Sequence, residues 1–191
     1  MPTLPPVTQA LIAVNILVFL AEAVLGNAGT WFLALWPLGP QFMPTQLLSY
    51  AFVHAGLGHL AFNMFGLYMF GSDLERVWGT RRFLIYYLGC ALAAAITQLF
   101  VAGLSGEYYP TVGASGALFG LLMAYAMVFP RRVIVPLIPP IPMPAPVFVA
   151  VYGGLELILG VTGAASGIAH FAHLGGLAGG FLLMRFCKAW R

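Results

Sequence analysis

Charged residues are scarce in this sequence. Only 7% of its 191 residues are Asp, Glu, Lys or Arg, whereas 61% are hydrophobic. A soluble domain carries about 25% charged residues, so a soluble globular protein is excluded, and the chain leaves little room for a separate soluble domain. The sequence therefore predicts a single polytopic membrane domain over residues 1–191, with the lipid bilayer as its surroundings.

Other scarcities exclude further classes of function. The Lys and Arg residues number 8 and are scattered, which argues against nucleic-acid binding. Asp73 is the single aspartate, and an aspartyl protease needs two carboxylates in one site, so a paired-aspartate membrane protease is excluded. Cys90 and Cys187 lie in apolar runs and are predicted to be small buried side chains without a disulfide.

Six apolar runs are candidates for membrane-spanning helices, each of which needs about 20 residues. They cover residues 7–26, 56–71, 83–103, 115–129, 147–161 and 168–186. The predicted fold is therefore all-α, a polytopic bundle of six transmembrane helices. The stretch 27–46 contains Trp31 and Trp36, and we expect it to lie partly in the headgroup region, where Trp is enriched.

The basic residues orient these spans. Every Lys and Arg closes or follows an even-numbered span: Arg76, Arg81 and Arg82; Arg131 and Arg132; Arg185, Lys188 and Arg191. Because positively charged loops stay in the cytoplasm, both termini are predicted to be cytoplasmic in an inner (plasma) membrane. The even-numbered helices then run from the outside inwards.

The fourth span opens with the stretch Gly113-Ala114-Ser115-Gly116. Small residues let membrane helices pack closely, so this stretch alone could serve packing. A serine at the start of a helix, however, lies beside free backbone N–H groups and the positive end of the helix dipole, which favour an oxyanion. Ser115 is therefore a candidate nucleophile.

His173, in the sixth span, is the candidate base for that serine. A histidine in a membrane helix can simply be hydrogen-bonded inside the bundle, but it is more often functional. Ser115, His173 and His59 lie 16, 15 and 17 residues before basic residues that follow their spans. At 1.5 Å per residue these separations are about 24, 22 and 25 Å, so we expect the three side chains at one level below the outer surface.

His59 and Asn63 are four residues apart and share a helix face. They are predicted to donate hydrogen bonds to an oxyanion together with the backbone N–H of Ser115. Hydrogen bonding between helices is the alternative. His54 lies outside the regular helix, where a structural role is favoured, and Phe119 is expected to pack on His173.

A metal site is an alternative for these histidines, because His170 is three residues before His173. Zinc proteases carry H-E-x-x-H, and no glutamate lies between or beside these histidines in the sequence. Neither a metal nor another cofactor is therefore predicted. Glu22 and Glu156 lie in the first and fifth spans and are expected to be protonated or hydrogen-bonded within the bundle.

Two glycine pairs are predicted to hold the fourth and sixth spans together. Gly116 and Gly120 lie on the fourth span, and Gly176 and Gly180 lie on the sixth. Such small-xxx-small faces let helix backbones approach closely, and the Ser–His contact requires that approach. Gly113 is assigned to the same helix packing.

These motifs resemble those of the rhomboid family of intramembrane serine proteases: Gly113-x-Ser115-Gly116, His54-x4-His59-x3-Asn63 and Ala172-His173-x2-Gly176-x3-Gly180. The resemblance extends over all six spans and matches the minimal bacterial form. It implies a catalytic dyad of Ser115 and His173 without an acidic third member. It also implies oxyanion stabilisation by the Ser115 N–H with His59 and Asn63, no cofactor, and cleavage of transmembrane protein substrates near the outer membrane face.

Two other functions were considered. A non-catalytic relative that binds membrane helices would lack the Ser/His pair, and this chain has both residues. A small transporter would need polar groups along a path to the inner side, but the helices below Asn63 are almost wholly apolar. The loops 104–112 and 162–167 are candidate lids over Ser115.

Overall fold

A computed structural model describes residues 3–137, 139–164 and 167–187. Helices dominate it: α1 (Pro6–Leu25), α2 (Asn27–Leu33), α3 (Gln46–Ser49), α4 (Leu57–Gly66), α5 (Ser72–Trp78), α6 (Thr80–Ser105), α7 (Ser115–Val128), α8 (Ala145–Thr162) and α9 (His170–Phe186). A turn of 3₁₀-helix, Tyr50–Phe52, follows α3, and a π-helical stretch, Leu67–Gly71, joins α4 to α5. The predicted helical membrane bundle is confirmed.

Within the described residues, three helices are long and apolar enough to cross a membrane, namely α1, α6 and α8. The predicted second span corresponds to α4 with the π-helical stretch. The fourth and sixth spans correspond to α7 and α9, which have only 14 and 17 residues. At 1.5 Å per residue α7 is about 21 Å long, against about 30 Å of hydrocarbon. The count of six spans stays a prediction.

A short antiparallel sheet lies in the proline-rich connection between α7 and α8, where the sequence predicts no strand. Its strands are β1 (Val133–Ile134) and β2 (Met143–Pro144). Proline interrupts helices because it lacks the backbone N–H and fixes φ, so this connection takes an extended form. The N–H of Ala145 then donates to the carbonyl of Arg132, 2.9 Å away, at the start of α8.

The centre of the bundle is formed by α6, α7 and α9, which pack against one another. Small residues make the contacts short: a Cβ added to Gly175 would lie 2.5 Å from the side chain of Thr97 on α6. Tyr86, also on α6, donates from its hydroxyl to the carbonyl of Gly120 on α7 at 3.0 Å. Short contacts at these glycines therefore set how closely α7 and α9 lie to α6.

At one end of the bundle, Glu75 caps the start of α1. Its carboxylate accepts from the backbone N–H groups of Val7 and Thr8 at 2.9 and 2.7 Å, and from the Thr8 hydroxyl at 2.8 Å. The first N–H groups of a helix have no partner within that helix. The buried Glu75 therefore stabilises α1 and joins it to α5.

Ion pairs gather further elements at this same end. Asp73 pairs with Arg76 at 3.3 Å and with Arg132, and Arg76 donates to the carbonyl of Thr3 at 3.3 Å. The chain start, α5 and the end of α7 thus lie together, as the distribution of basic residues predicts. Lys188 and Arg191, which contribute to the predicted orientation, lie outside the described residues, and the cytoplasmic location of this end stays a prediction.

At the other end, loop contacts fix where α7 begins. The backbones of Leu35 and Thr111 exchange two hydrogen bonds of 2.9 Å, which tie the loop after α2 to the loop before α7. Gln46, which is fully buried, accepts from the N–H groups of Trp36 and Met43 at 3.3 and 3.1 Å. These bonds hold the loops above the start of α7.

Candidate active site

Ser115 is the first residue of α7, and the turn before it depends on Gly113. Gly113 has a φ of 118°, which side chains of L-residues rarely allow, and its N–H donates to the carbonyl of Tyr50 at 2.9 Å. A Cβ at this position would lie 2.7 Å from the ring of His59. Gly113 therefore lies in the loop against His59, which differs from the helix-packing role predicted for it.

The predicted nucleophile and base are in contact. The Oγ of Ser115 lies 2.7 Å from Nε2 of His173, which is in the first turn of α9. The ring of His173 stacks on Phe119, with ring centroids 4.5 Å apart and planes 10° apart. This stacking, predicted from the position of Phe119 on α7, fixes the plane of the imidazole so that Nε2 faces the hydroxyl.

The predicted glycine pairs hold α7 and α9 close enough for that contact. A Cβ added to Gly176 would overlap the carbonyl oxygen of Gly116. One added to Gly180 would lie 2.9 Å from the Cα of Gly120. The two pairs therefore face each other, and the distance between Ser115 and the base on α9 depends on their lacking side chains.

A cavity of about 450 Å³ lies beside these residues. Ser115, His173, His59 and Asn63 all line it, which agrees with the common depth predicted for three of them. Residues 109–112 and 167 also line it, so each of the two candidate lid loops contributes to its wall. Residues 165 and 166 of the second loop lie outside the described residues.

Asn63 has a donor available to this cavity. The residue is buried, and its amide Nδ2 has no hydrogen-bond partner among the described protein atoms. His59, one turn earlier on α4, packs edge-on against His54, with ring centroids 5.0 Å apart. His54 lies outside α4, as predicted. The arrangement places two side chains and the first N–H groups of α7 around one cavity, where an oxyanion could accept from them.

Glu156 lies next to both histidines of α9, which the sequence pattern does not predict. Its Oε2 is 2.6 Å from Nδ1 of His170 and 3.0 Å from Nδ1 of His173. The sequence shows no glutamate beside these histidines because Glu156 belongs to α8. The only sequence signal for its role was the position of an acidic residue, Glu156, within the predicted fifth span. Glu22 is hydrogen-bonded within the fold as expected, accepting from the Thr30 hydroxyl at 2.6 Å.

The three side chains could also hold a metal ion. Their ligand atoms lie within 4.8 Å of one another, and a carboxylate oxygen with two imidazole nitrogens is a donor set that zinc accepts. The hydrogen bond between Oε2 of Glu156 and Nδ1 of His170 already pairs two of these atoms with each other. The expectation that no metal takes part stays a prediction.

Comparison with known proteins identifies the family. Residues 41–189 match the family profile described as Rhomboid domain, which covers most of the chain. The chain belongs to the rhomboid family. The resemblance seen in the sequence motifs is thereby confirmed, whereas the roles of the individual residues stay predictions.

Several rhomboid proteins are similar to this chain. Rhomboid protease GluP of Bacillus subtilis (strain 168) is 32% identical over 190 residues, which are 93% of this chain and 34% of GluP. Putative rhomboid protease YdcA of the same organism is 34% identical over 143 residues, 74% of this chain and 66% of YdcA. Rhomboid protease GlpG of Klebsiella pneumoniae subsp. pneumoniae is 29% identical over 115 residues, 56% of this chain and 42% of GlpG. The chain thus spans less than two thirds of each of these relatives.

Proposed function

We propose that this chain is an intramembrane serine endopeptidase that cleaves transmembrane protein substrates near the outer membrane face. The observation that carries the proposal is the 2.7 Å contact between Oγ of Ser115 and Nε2 of His173. The contact lies beside a cavity in a helical membrane bundle. The relatives named as rhomboid proteases support the same reaction class.

The contact suits nucleophilic catalysis. As Oγ of Ser115 attacks the carbonyl carbon of the substrate, Nε2 of His173 takes the hydroxyl proton, and a tetrahedral intermediate forms. Its collapse breaks the C–N bond, His173 gives the proton to the leaving amine, and an acyl ester remains on Ser115. Water activated by His173 then hydrolyses the ester and restores the serine.

The negative charge of the intermediate needs donors already in place. The N–H of Ser115 is free because the first N–H groups of a helix have no intrahelical partner. His59 and Asn63 line the same cavity and complete the proposed oxyanion site. Fixed donors of this kind stabilise developing charge more than water does, because they need no reorganisation during the reaction.

The proposed location is the inner (plasma) membrane, with both termini in the cytoplasm. The ion pairs of Asp73 lie near the end of α7, whereas Ser115 lies at its start. With that charged end in the cytoplasm, the length of α7, about 21 Å, supports a position of the proposed dyad nearer the outer face. A substrate helix would meet the dyad there.

A fluorophosphonate probe tests the nucleophile. In detergent, the unmodified protein should be labelled and should cleave a transmembrane substrate. Ser115→Ala should lose both reactions, because the probe reacts with an activated serine, and His173→Ala should lose most of both. Ser49→Ala is the matched control, since its hydroxyl donates to the carbonyl of Leu33 at 2.8 Å and should not matter.

Three outcomes would contradict the proposal. Labelling that persists in Ser115→Ala would move the nucleophile to another residue. Activity that is lost to a chelator would indicate metal chemistry. An unmodified protein that neither labels nor cleaves, although folded, would instead support a non-catalytic membrane-helix binding protein.

A further inference from the structure

His173 is contacted at both of its ring nitrogens by different elements. Nε2 faces Ser115 on α7, whereas Nδ1 lies 3.0 Å from Oε2 of Glu156 on α8. The same oxygen is 2.6 Å from Nδ1 of His170. The side chains of Glu156, His170 and His173 are 14%, 6% and 11% exposed, respectively. This is a largely buried carboxylate shared by two imidazoles.

The proton on the ring decides whether His173 can act as a base. A neutral imidazole carries one N–H and one lone pair. Nε2 can take a proton from Ser115 only if Nδ1 holds the hydrogen, and a carboxylate beside Nδ1 favours that arrangement. The same negative charge stabilises the imidazolium that forms when the serine attacks. A carboxylate at Nδ1 therefore affects the reaction without touching the substrate.

The present contact has the distance of an ion pair but not the alignment of a hydrogen bond. Catalytic hydrogen bonds are often long or poorly aligned before substrate binds and tighten in the complex. His170, three residues before His173 on the same helix, hydrogen-bonds to the carboxylate. That bond holds Oε2 near the Nδ1 atom that it would orient.

We infer that Glu156 is a positioning residue: it holds His173 in the tautomer that accepts the proton of Ser115, and His170 anchors it. The inference rests on the proposed protease function and adds to it an acidic residue that a simple Ser/His dyad lacks. A purely structural role is the competing explanation, because the buried residues of α8 lie near its start, at Ala145, Phe148 and Val149. The bond from Glu156 could simply tie the later turns of α8 to α9.

Two variants at this position separate these roles. Glu156→Gln keeps the size but removes the charge, and we expect kcat to fall about 10- to 100-fold with KM little changed, as for a base whose orientation is disturbed. Fluorophosphonate labelling of Ser115 should slow to a similar extent. Glu156→Asp keeps the charge and should recover part of kcat. Glu22→Gln is the matched control, because Glu22 is also a partly buried carboxylate in a membrane helix, but it accepts its hydrogen bond from Thr30 and does not lie beside His173.

Some kinetic outcomes would overturn the inference. One is an unchanged kcat in Glu156→Gln. Another is a loss of activity in proportion to the fall in melting temperature, with KM and kcat changing together. In that case Glu156→Asp would be no more active than Glu156→Gln. Loss of wild-type activity in EDTA and its return with zinc would show that the three side chains bind a metal. Retained labelling in Ser115→Ala would instead refute the proposed function itself, so the two failures are distinguishable.

A measurement on the unmodified protein covers the case in which Glu156→Gln does not fold. The chain has 4 histidines, so the NMR signals of isotope-labelled histidine can be assigned to each ring by replacing one histidine at a time. We expect the hydrogen of neutral His173 on Nδ1. A hydrogen on Nε2 instead would mean that Glu156 does not set the tautomer, and the inference would be wrong.

Discussion

At the scale of single residues, Asn63 has an energetic cost that packing does not explain. Its buried Nδ2 has no partner among the described protein atoms, and an unpaired buried donor costs about 1–3 kcal/mol. The proposed oxyanion role would account for this cost, because the donor would then become paired when the oxyanion forms. If the Asn63 amide donated to another helix, its role would be ordinary interhelical hydrogen bonding.

We expect Asn63→Ala and His59→Ala to lower kcat by up to about 100- to 1,000-fold, the loss seen when one oxyanion donor is removed. Asn63→Ala should keep or raise the melting temperature, because an unpaired buried donor is lost. His59→Ala should lower it somewhat, because the ring packs against His54 and Gly113. Cleavage kinetics and thermal unfolding in one detergent check both. If both variants cleave at the rate of the unmodified protein, His59 and Asn63 serve only in interhelical hydrogen bonding.

The site residues that could be predicted are those marked in their own sequence neighbourhood. Ser115 and His173 each lie among small residues, and their spacing from basic residues predicts a common depth. Glu156 could not be placed, because its contact with His173 depends on how α8 packs against α9 after the chain has turned. The role of Gly113 was also missed, because its neighbour His59 lies on another helix.

At the scale of elements, α9 uses glycine on two of its faces. Gly176 and Gly180 lie against α7, as predicted, whereas Gly175 and Gly179 lie against α6, where a Cβ on Gly175 would be 2.5 Å from the side chain of Thr97. Adjacent positions on a helix are about 100° apart, so the two faces meet different neighbours. The face against α6 was not predicted, because the glycine pairs were interpreted only through the contact between Ser115 and His173.

Gly176→Val should abolish most activity and lower the melting temperature, although residue 176 touches no reacting atom. Any side chain there must push α9 away from the backbone of Gly116, and a displacement of about 1 Å at a catalytic pair can cost about 100-fold. Gly176→Ala should act in the same direction. Gly175→Ala should be milder, because the overlap of its Cβ with Thr97 is smaller than the overlap of a Cβ at 176 with the carbonyl oxygen of Gly116, though it is not a neutral change.

The neutral control for these variants is Gly103→Ala. Gly103 lies on α6, and a Cβ there would meet nothing within 4 Å. Alanine in a helix interior is about 0.5–1 kcal/mol more favourable than glycine, so this variant should be unchanged or slightly more stable. Cleavage and melting are measured for all four variants together. Greater damage from Gly175→Ala than from Gly176→Ala would mean that α9 packs more tightly on α6 than on α7.

The helices were predicted to within a few residues where apolar runs are long, as for α1, predicted over 7–26 and observed over Pro6–Leu25. The end of the second span was not predicted correctly. Its prediction stops at residue 71, before Asp73 and Glu75, but the chain continues as α5 to Trp78. These acidic residues remain helical because Glu75 caps α1 and Asp73 pairs with Arg132. Such partners cannot be read from the local sequence.

At the scale of the whole molecule, the two ends of the bundle differ in chemistry. One end carries the ion pairs of Asp73 with Arg76 and Arg132. The other carries Ser115, His173 and the cavity that they line. If α7 ends level with the inner edge of the hydrocarbon, its length of about 21 Å leaves Ser115 roughly 9 Å below the outer edge of a 30 Å core. The cavity beside Ser115 would then lie at that level, where it could hold the water that the proposed hydrolysis needs.

This depth predicts where a substrate is cut. A transmembrane substrate should be cleaved in the outer third of its helix, and mass spectrometry of the products gives the position. An intact helix keeps its carbonyls in bonds to N–H groups four residues on, so the segment must unwind before Ser115 can attack. Gly or Pro placed in the outer third should therefore speed cleavage, because both weaken a helix. The same residues placed in the inner third are the matched control and should have little effect. Product ends in the inner third, or equal acceleration by both placements, would mean that the substrate reaches Ser115 from the other side of the bundle.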